Sequence, residues 1–165
     1  MQLLDFIRHF ADELDVAVVI TDAELNRPGP TILYANPAFL QMSGFEAVDV
    51  LGQTPRMMQG PGTKREATRM VQRALRQDGR FLGRLQNYRR NGEAYLCEID
   101  VRAIHGLDGR TEGFIAFERE VVRRRGKPSH GGAGRYRPVD GQEVGTIHFV
   151  ELPIFGDAVD RNLIG

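Results

Sequence analysis

The chain has no tryptophan, a single cysteine and no net charge, with 22 Lys and Arg set against 22 Asp and Glu in 165 residues. Each shortage excludes something. One cysteine rules out an internal disulfide framework and any multi-cysteine metal site. A balanced charge, with pI near 6.9, removes the long-range field that recruits nucleic acid or an anionic membrane. The run Arg123-Arg124-Arg125 has no interleaved aromatics and supplies too little counterion release for a nucleic-acid site. No apolar run approaches the ~20 residues of a membrane span. The first fourteen residues carry Asp5, Arg8, Asp12 and Glu13, so they lack the apolar core of a signal peptide. The expectation is a cytoplasmic protein with no nucleic-acid and no membrane partner. His9, His105, His130 and His148 fall in a helix, a turn, a linker and a tail, which leaves haem without an axial ligand. No nucleophile–base pair or metal cluster is visible, so no enzyme is expected.

What the chain does have is a core-forming apolar content of 41% and an unusual central stretch. Gly52 to Gly62 reads Gly-Gln-Thr-Pro-Arg-Met-Met-Gln-Gly-Pro-Gly, a bend, one helical turn and a second Gly/Pro break. Thr54 is placed to cap the turn, and Pro55 occupies its first position, where a fixed φ helps and a missing N–H costs nothing. Arg56 and Gln59, three apart, share one side of it.

Around this stretch the elements follow in order. Leu3, Ile7, Phe10, Ala11 and Leu14 recur at helical spacing and predict an amphipathic helix over 2–14. Val16–Thr21 and Thr31–Ala35 are strands, joined through the turn Arg27-Pro28-Gly29-Pro30. Asn36-Pro37 starts a short helix that Ser43-Gly44 stops, and Phe45–Leu51 is a second helical piece. Thr63-Lys64-Arg65-Glu66 fits a capping box ahead of the best-supported helix, about 64–77, closed by Asp78-Gly79. Phe81–Arg89, Ala94–Ala103 and Glu112–Val122 are strands, the first two joined at Asn91-Gly92, the strongest hairpin signal in the chain. Two strands followed by three, with helices between, predict an α+β fold: one five-stranded antiparallel sheet with the helices on one face. Residues 126–142 are rich in Gly, Pro and Ser and read as a linker. Val144–Phe155 is apolar enough to dock somewhere.

Period-two alternation assigns faces. Phe81, Gly83, Leu85 and Asn87 share one face of their strand. Tyr95, Cys97, Ile99 and Val101 share another, turned toward the helices, while Glu98, Asp100 and Arg102 point away. In the last strand Phe114, Ala116 and Glu118 oppose Ile115, Phe117 and Val121. Pattern alone sends the second set inward and leaves Glu118 in water, yet apolar residues on both sides predict that both faces are covered.

The order of elements and several motifs together resemble the PAS fold, and more closely its light-oxygen-voltage (LOV) subgroup of flavin-binding blue-light sensors. Tyr34-Ala35-Asn36-Pro37-Ala38-Phe39 is similar to the family's entry into its first short helix. Leu51-Gly52 with Gln59-Gly60-Pro61-Gly62-Thr63 resembles the G-x-N-C-R-F-L-Q-G-P region. Asn87-Tyr88-Arg89-Arg90-Asn91-Gly92 resembles the N-Y-x-x-D-G hairpin, and Phe114-Ile115-Ala116-Phe117-Glu118 the F-I-G-V-Q strand. The resemblance implies a cofactor pocket for FMN, with FAD or riboflavin as alternatives. Thr54 and Pro55 stand where the family has its asparagine and its adduct-forming cysteine. Proline has no nucleophile and no proton to give, so the resemblance implies the pocket without the thioadduct. Gln59 and Asn87 match polar contacts to the flavin, and Arg56 matches a phosphate-binding arginine. A second phosphate arginine is Gln72 here, with Arg69 or Arg73 within a turn of it to substitute. Cys97 stands at a second asparagine position and reads as a small buried filler. Glu118 stands at the family's glutamine. It is either a carboxyl protonated by burial, able to donate as glutamine would, or a strand-surface carboxylate beside Arg119 or Arg102.

The expected organisation is an N-terminal amphipathic helix over 1–14, a LOV-like PAS domain over 15–122, a linker over 123–142 and a C-terminal extension over 143–165. The expected function is sensory: a flavin-binding, photoreceptor-type or redox-sensing module, signalling through the packing of a homodimer or a signalling protein partner. Ile115, Phe117 and Val121 on the outer sheet face, with the terminal extensions, are the expected dimer surface. The alternatives are a cofactor-free PAS interaction module and a PAS pocket for another small metabolite.

Overall fold

The computed structural model describes residues 3–126 and 135–139. In order they form α1 (Leu3–Ala11), β1 (Ala17–Asp22), β2 (Ile32–Ala35), α2 (Pro37–Ser43), α3 (Ala47–Val50), a single 3-10 turn (Pro55–Met58), α4 (Arg65–Asp78), β3 (Arg80–Tyr88), β4 (Ala94–His105), β5 (Thr111–Arg123) and β6 (Tyr136–Pro138). The strands make one antiparallel sheet in the order β2-β1-β5-β4-β3. This is the α+β architecture that the two-plus-three strand pattern predicts.

A sixth strand lies inside the stretch read as a linker. β6 pairs with β5 from Val121 to Arg123, beyond Glu118, where the register of β1 on β5 begins. It takes the length of the β5 edge that β1 leaves open. A three-residue strand has no alternation to read, and Pro138 is tolerated because it sits on an edge. Val144–Phe155 and the C-terminal extension lie outside the described residues.

Two caps differ from expectation. The Thr54 side chain does not cap the 3-10 turn, although Pro55 does open it. Thr63 forms no capping box either: α4 has Lys64 at its N-cap without a side-chain bond. The Thr63 hydroxyl instead donates to the Gln86 carbonyl at 2.6 Å and accepts the Gly60 N–H at 3.0 Å. It is used up in pinning the glycine loop to β3. Gly79 closes α4 in the left-handed conformation, φ 64°, as a C-terminal glycine should.

Asn36 is the main junction of the fold. Its Oδ1 accepts the Val18 and Phe39 N–H groups, and its Nδ2 donates to the Ala11 and Val16 carbonyls, all at 2.8–3.0 Å. This fully buried amide uses both donors and both lone pairs. α1 ends at Ala11, three residues before the predicted position, and the Ala11 carbonyl takes the Asn36 bond there. The same amide ties α1 to β1 and α2.

The sheet is covered on both faces. On one side, α2, α3, the 3-10 turn and α4 enclose a core built from Val19, Phe39, Val50, Met58, Leu75, Cys97 and Phe114. On the other side, Ile7 and Ala11 of α1 pack with Val16, Val18, Ile20, Tyr34, Ile104, Ile115 and Phe117. Glu98 and Asp100 lie on this outer face, as the alternation predicts, but they are not in water: 2% and 0% of their surface is exposed. Asp100 is held by Arg80 and Arg102, and Glu98 by Arg84 and Arg119. The Tyr136 ring of β6 lies 3.7 Å from the Arg84 guanidinium.

Candidate functional site

Between the sheet and the helices lies a cavity whose walls come from six elements. β1 supplies Val19 and Thr21, the 3-10 turn Pro55, Arg56, Met58 and Gln59, and α4 Val71, Gln72 and Leu75. β3 and β4 supply Leu85, Asn87, Ile99 and Val101, and β5 Phe114, Ala116 and Glu118. About 130 Å³ is open to the centres of water molecules inside it, so the envelope it encloses is larger. Most of the lining is apolar, with a few polar groups at fixed points, the usual make-up of a small-molecule site.

β5 thus turns Phe114, Ala116 and Glu118 inward. This corrects the pattern-based expectation, which left Glu118 in water with Ile115, Phe117 and Val121 inside. The reason is the cover on the outer face. Ile115 and Phe117 reach their own apolar surroundings under α1, so hydrophobicity does not distinguish the faces of this strand.

The cavity opens toward a polar mouth lined by Arg27, Arg56, Gln59, Thr63, Arg65, Thr68, Arg69 and Gln72. Four of these residues, Arg56, Gln59, Thr68 and Gln72, also line the inner cavity, so the two spaces are continuous along one side. Four arginines face the mouth, and no carboxylate does among the described residues. The loop beneath it is held by Tyr88, whose hydroxyl accepts the Gly62 N–H at 2.7 Å. The Tyr88 ring lies so close that a Cβ at Gly60 would sit 2.5 Å from its edge. Only glycine permits this approach.

Of the residues singled out in the sequence, Pro55, Arg56, Gln59, Asn87 and Glu118 meet at the cavity, and Arg69 joins Arg56 at the mouth. Thr54 and Arg73 line neither space. Arg73 is exposed on another side of α4, because neighbours on a helix surface are three or four apart and Gln72 already faces the cavity. Cys97 lies behind the wall, fully buried. Its thiol donates to Glu118 Oε2 at 3.4 Å. Arg27 and Arg65 were not identified from sequence. Arg27 sits in the Arg-Pro-Gly-Pro turn, where its composition signals only a turn, and Arg65 reads as part of a capping box.

Electrostatics follow burial. Glu118 is 6% exposed, and loss of solvation pushes its carboxyl up to about 7, with the Cys97 hydrogen bond pulling the other way. Burial, then the neighbouring Glu118, push the Cys97 thiol well above its ordinary value. A thiol held protonated is not a nucleophile. Burial, then the neighbouring Glu118, push the Tyr95 hydroxyl well above its ordinary value, with the Asn87 amide beside it pulling the other way. Arg89 meets Glu120 at 2.6 Å and Glu93 at 3.2 Å, with its guanidinium 4.5 Å from the Tyr95 ring.

One antiparallel sheet with short helices on one face and a mainly apolar cavity between them defines the α+β class of this domain. Comparison with known proteins specifies it further. The profile of the PAS domain matches residues 15–123, and the chain belongs to the PAS family. It is 34% identical over 110 residues to a nitrogen fixation regulatory protein of Klebsiella oxytoca. It is 32% identical over 105 residues to a blue-light-activated histidine kinase of Brucella canis. These matches cover 67% and 64% of this chain but only 21% of each relative. Among solved structures, a light-oxygen-voltage domain studied with a flavin analogue superposes with a TM-score of 0.62 at 26% identity, covering 73% of this chain and 86% of the other. No helix among the described residues is long and apolar enough to cross a membrane.

Proposed function

We propose that this PAS domain is a sensory module that binds a flavin nucleotide, FMN in the first instance, and signals without a cysteinyl adduct. One observation carries the reading: a mainly apolar cavity, with Gln59, Asn87 and Glu118 among the polar side chains on its walls, runs into a mouth of four arginines. That is the complement of a flat, largely apolar ring system with a polar edge and a phosphate tail. The donor set fits. Gln59 and Asn87 present amides to a heterocycle edge, Glu118 holds a proton at its carboxyl, the apolar walls exclude water, and Arg56 and Arg69 receive the phosphate. When bound, the flavin supplies light absorption and redox chemistry. The chain's one cysteine faces Glu118 from β4, and Pro55 stands on the 3-10 turn. The module acts by binding, and no catalytic residue is assigned.

The test is the visible spectrum of the purified chain after refolding with excess FMN. A structured blue flavin band is expected, and a protein that stays colourless overturns the reading. Riboflavin, which lacks the phosphate, is expected to bind about 10- to 100-fold more weakly than FMN, the worth of one hydrogen-bonded charge pair. In Arg56→Ala/Arg69→Ala that preference should vanish. FMN affinity alone should fall with salt.

A further inference from the structure

A second cavity, about 340 Å³, lies at the end of the sheet between α2, the start of β1, β5 and β6. It is lined by Asp15, Val16, Ala17, Ala38, Gln41, Met42, Glu118, Arg119, Glu120 and Pro138. Among the described residues, Glu118 alone lines both this space and the inner cavity. It is the wall between them.

We propose that this outer cavity is the proton port of Glu118: water standing in it exchanges the carboxyl proton while a ligand fills the inner cavity. The proposal rests on the flavin reading only for what closes the inner side. The surroundings support it. A buried acid that gains and loses a proton needs a path to solvent, and an occupied inner cavity removes one of the two. Apart from Asp15 at its rim, the other groups at the port are ion-paired or uncharged. Glu120 is bound by Arg89. Arg119 is bound to Glu98 on the opposite face of the sheet. α2 brings Ala38, Gln41 and Met42, none of which titrates. Around Glu118 the remaining titratable groups are Cys97 and Tyr95 from β4, Asp15 at the rim of the port before β1, and Arg56 across the inner cavity. Cys97 donates a hydrogen bond to Glu118 and is held protonated. It is a hydrogen-bond partner and not an exchange route. The step is a simple exchange: the carboxyl O–H passes its proton to water at the port, and water returns one.

The experiment follows the infrared C=O stretch of protonated Glu118, assigned by its absence in Glu118→Gln, after rapid mixing of the full chain into D2O. In FMN-loaded wild type the band shifts as fast as mixing allows. In FMN-loaded Ala38→Trp, which fills the port from α2, the shift is expected to slow about tenfold or more, because exchange must then wait for local opening. Without FMN, Ala38→Trp should exchange as fast as wild type through the open inner cavity. Equal rates in loaded wild type and loaded Ala38→Trp overturn the proposal. Gln41→Trp plugs the same space if Ala38→Trp does not fold. If no FMN binds, the flavin reading fails separately. Ala116→Met then fills the inner cavity with a side chain, and the same comparison, with and without the plug, decides the port.

Discussion

Burial carries the titration of the Glu118 carboxyl up to about 7, and that makes it a property of stability. Its folded value near 7 lies above its ordinary 4.5. Between those two values the native state therefore binds more protons than the unfolded state, and stability falls as pH rises through the window. The contribution is complete below about pH 4.5 and lost above about pH 7. Glu118→Gln removes the titration. Wild type should lose up to about 3 kcal/mol relative to this variant between pH 5 and pH 8, read from urea midpoints at each pH. Parallel pH profiles would place Glu118 in solvent. Pro55 gives a second prediction at this scale. Pro55→Cys restores a thiol on the 3-10 turn, and its FMN complex is expected to bleach in blue light and recover in the dark, where wild type does not. A complex that binds FMN without bleaching would mean that Pro55 does not stand over the ring.

The element that sets the mouth is the glycine loop between the 3-10 turn and α4. It is pressed against β3 by Tyr88 and pinned by Thr63. Gly60→Ala forces the Tyr88 ring to move. It is expected to cost about 1–3 kcal/mol of stability and to weaken FMN binding while leaving riboflavin binding less affected, measured by fluorescence titration. Equal losses for the two ligands would show that the loop does not position the phosphate. Much of this element was legible in the sequence. Pro55 opening the turn, Gly79 closing α4 and Asn91-Gly92 closing the β3–β4 hairpin are local backbone chemistry. Spacing put Arg56 and Gln59 on one side of the turn and Asn87 on the face of its strand shared with Leu85; the family resemblance, not the spacing, implied their place at a cofactor. What stayed hidden depends on who sits opposite. Thr63 has the composition of a cap, but a carbonyl on β3 takes its hydroxyl. Arg27 and Arg65 reach the mouth only once the β1–β2 connection and α4 are brought together. The direction of Glu118 depends on α1 covering the far side of the sheet.

For the molecule as a whole, that cover relocates the expected dimer surface. Ile115 and Phe117 are packed beneath α1 and Val121 is buried, so a second copy of the chain meets α1 first. There Phe6, Phe10 and Leu14 are exposed, the two rings edge to face at 4.8 Å. Self-association is expected through this ridge. Phe10→Glu should yield a monomer by light scattering, whereas Phe117→Glu should lower stability. A wild type that is monomeric at high concentration, or a Phe10→Glu variant of unchanged mass, would rule the ridge out. The amide of Asn36 gives this arrangement a mechanical meaning. It grips the end of α1 on one face and the start of α2 on the other, through the strand between them. α2 walls the outer cavity, so one buried amide joins the helix that borders that cavity to the helix that carries the exposed Phe6 and Phe10 rings.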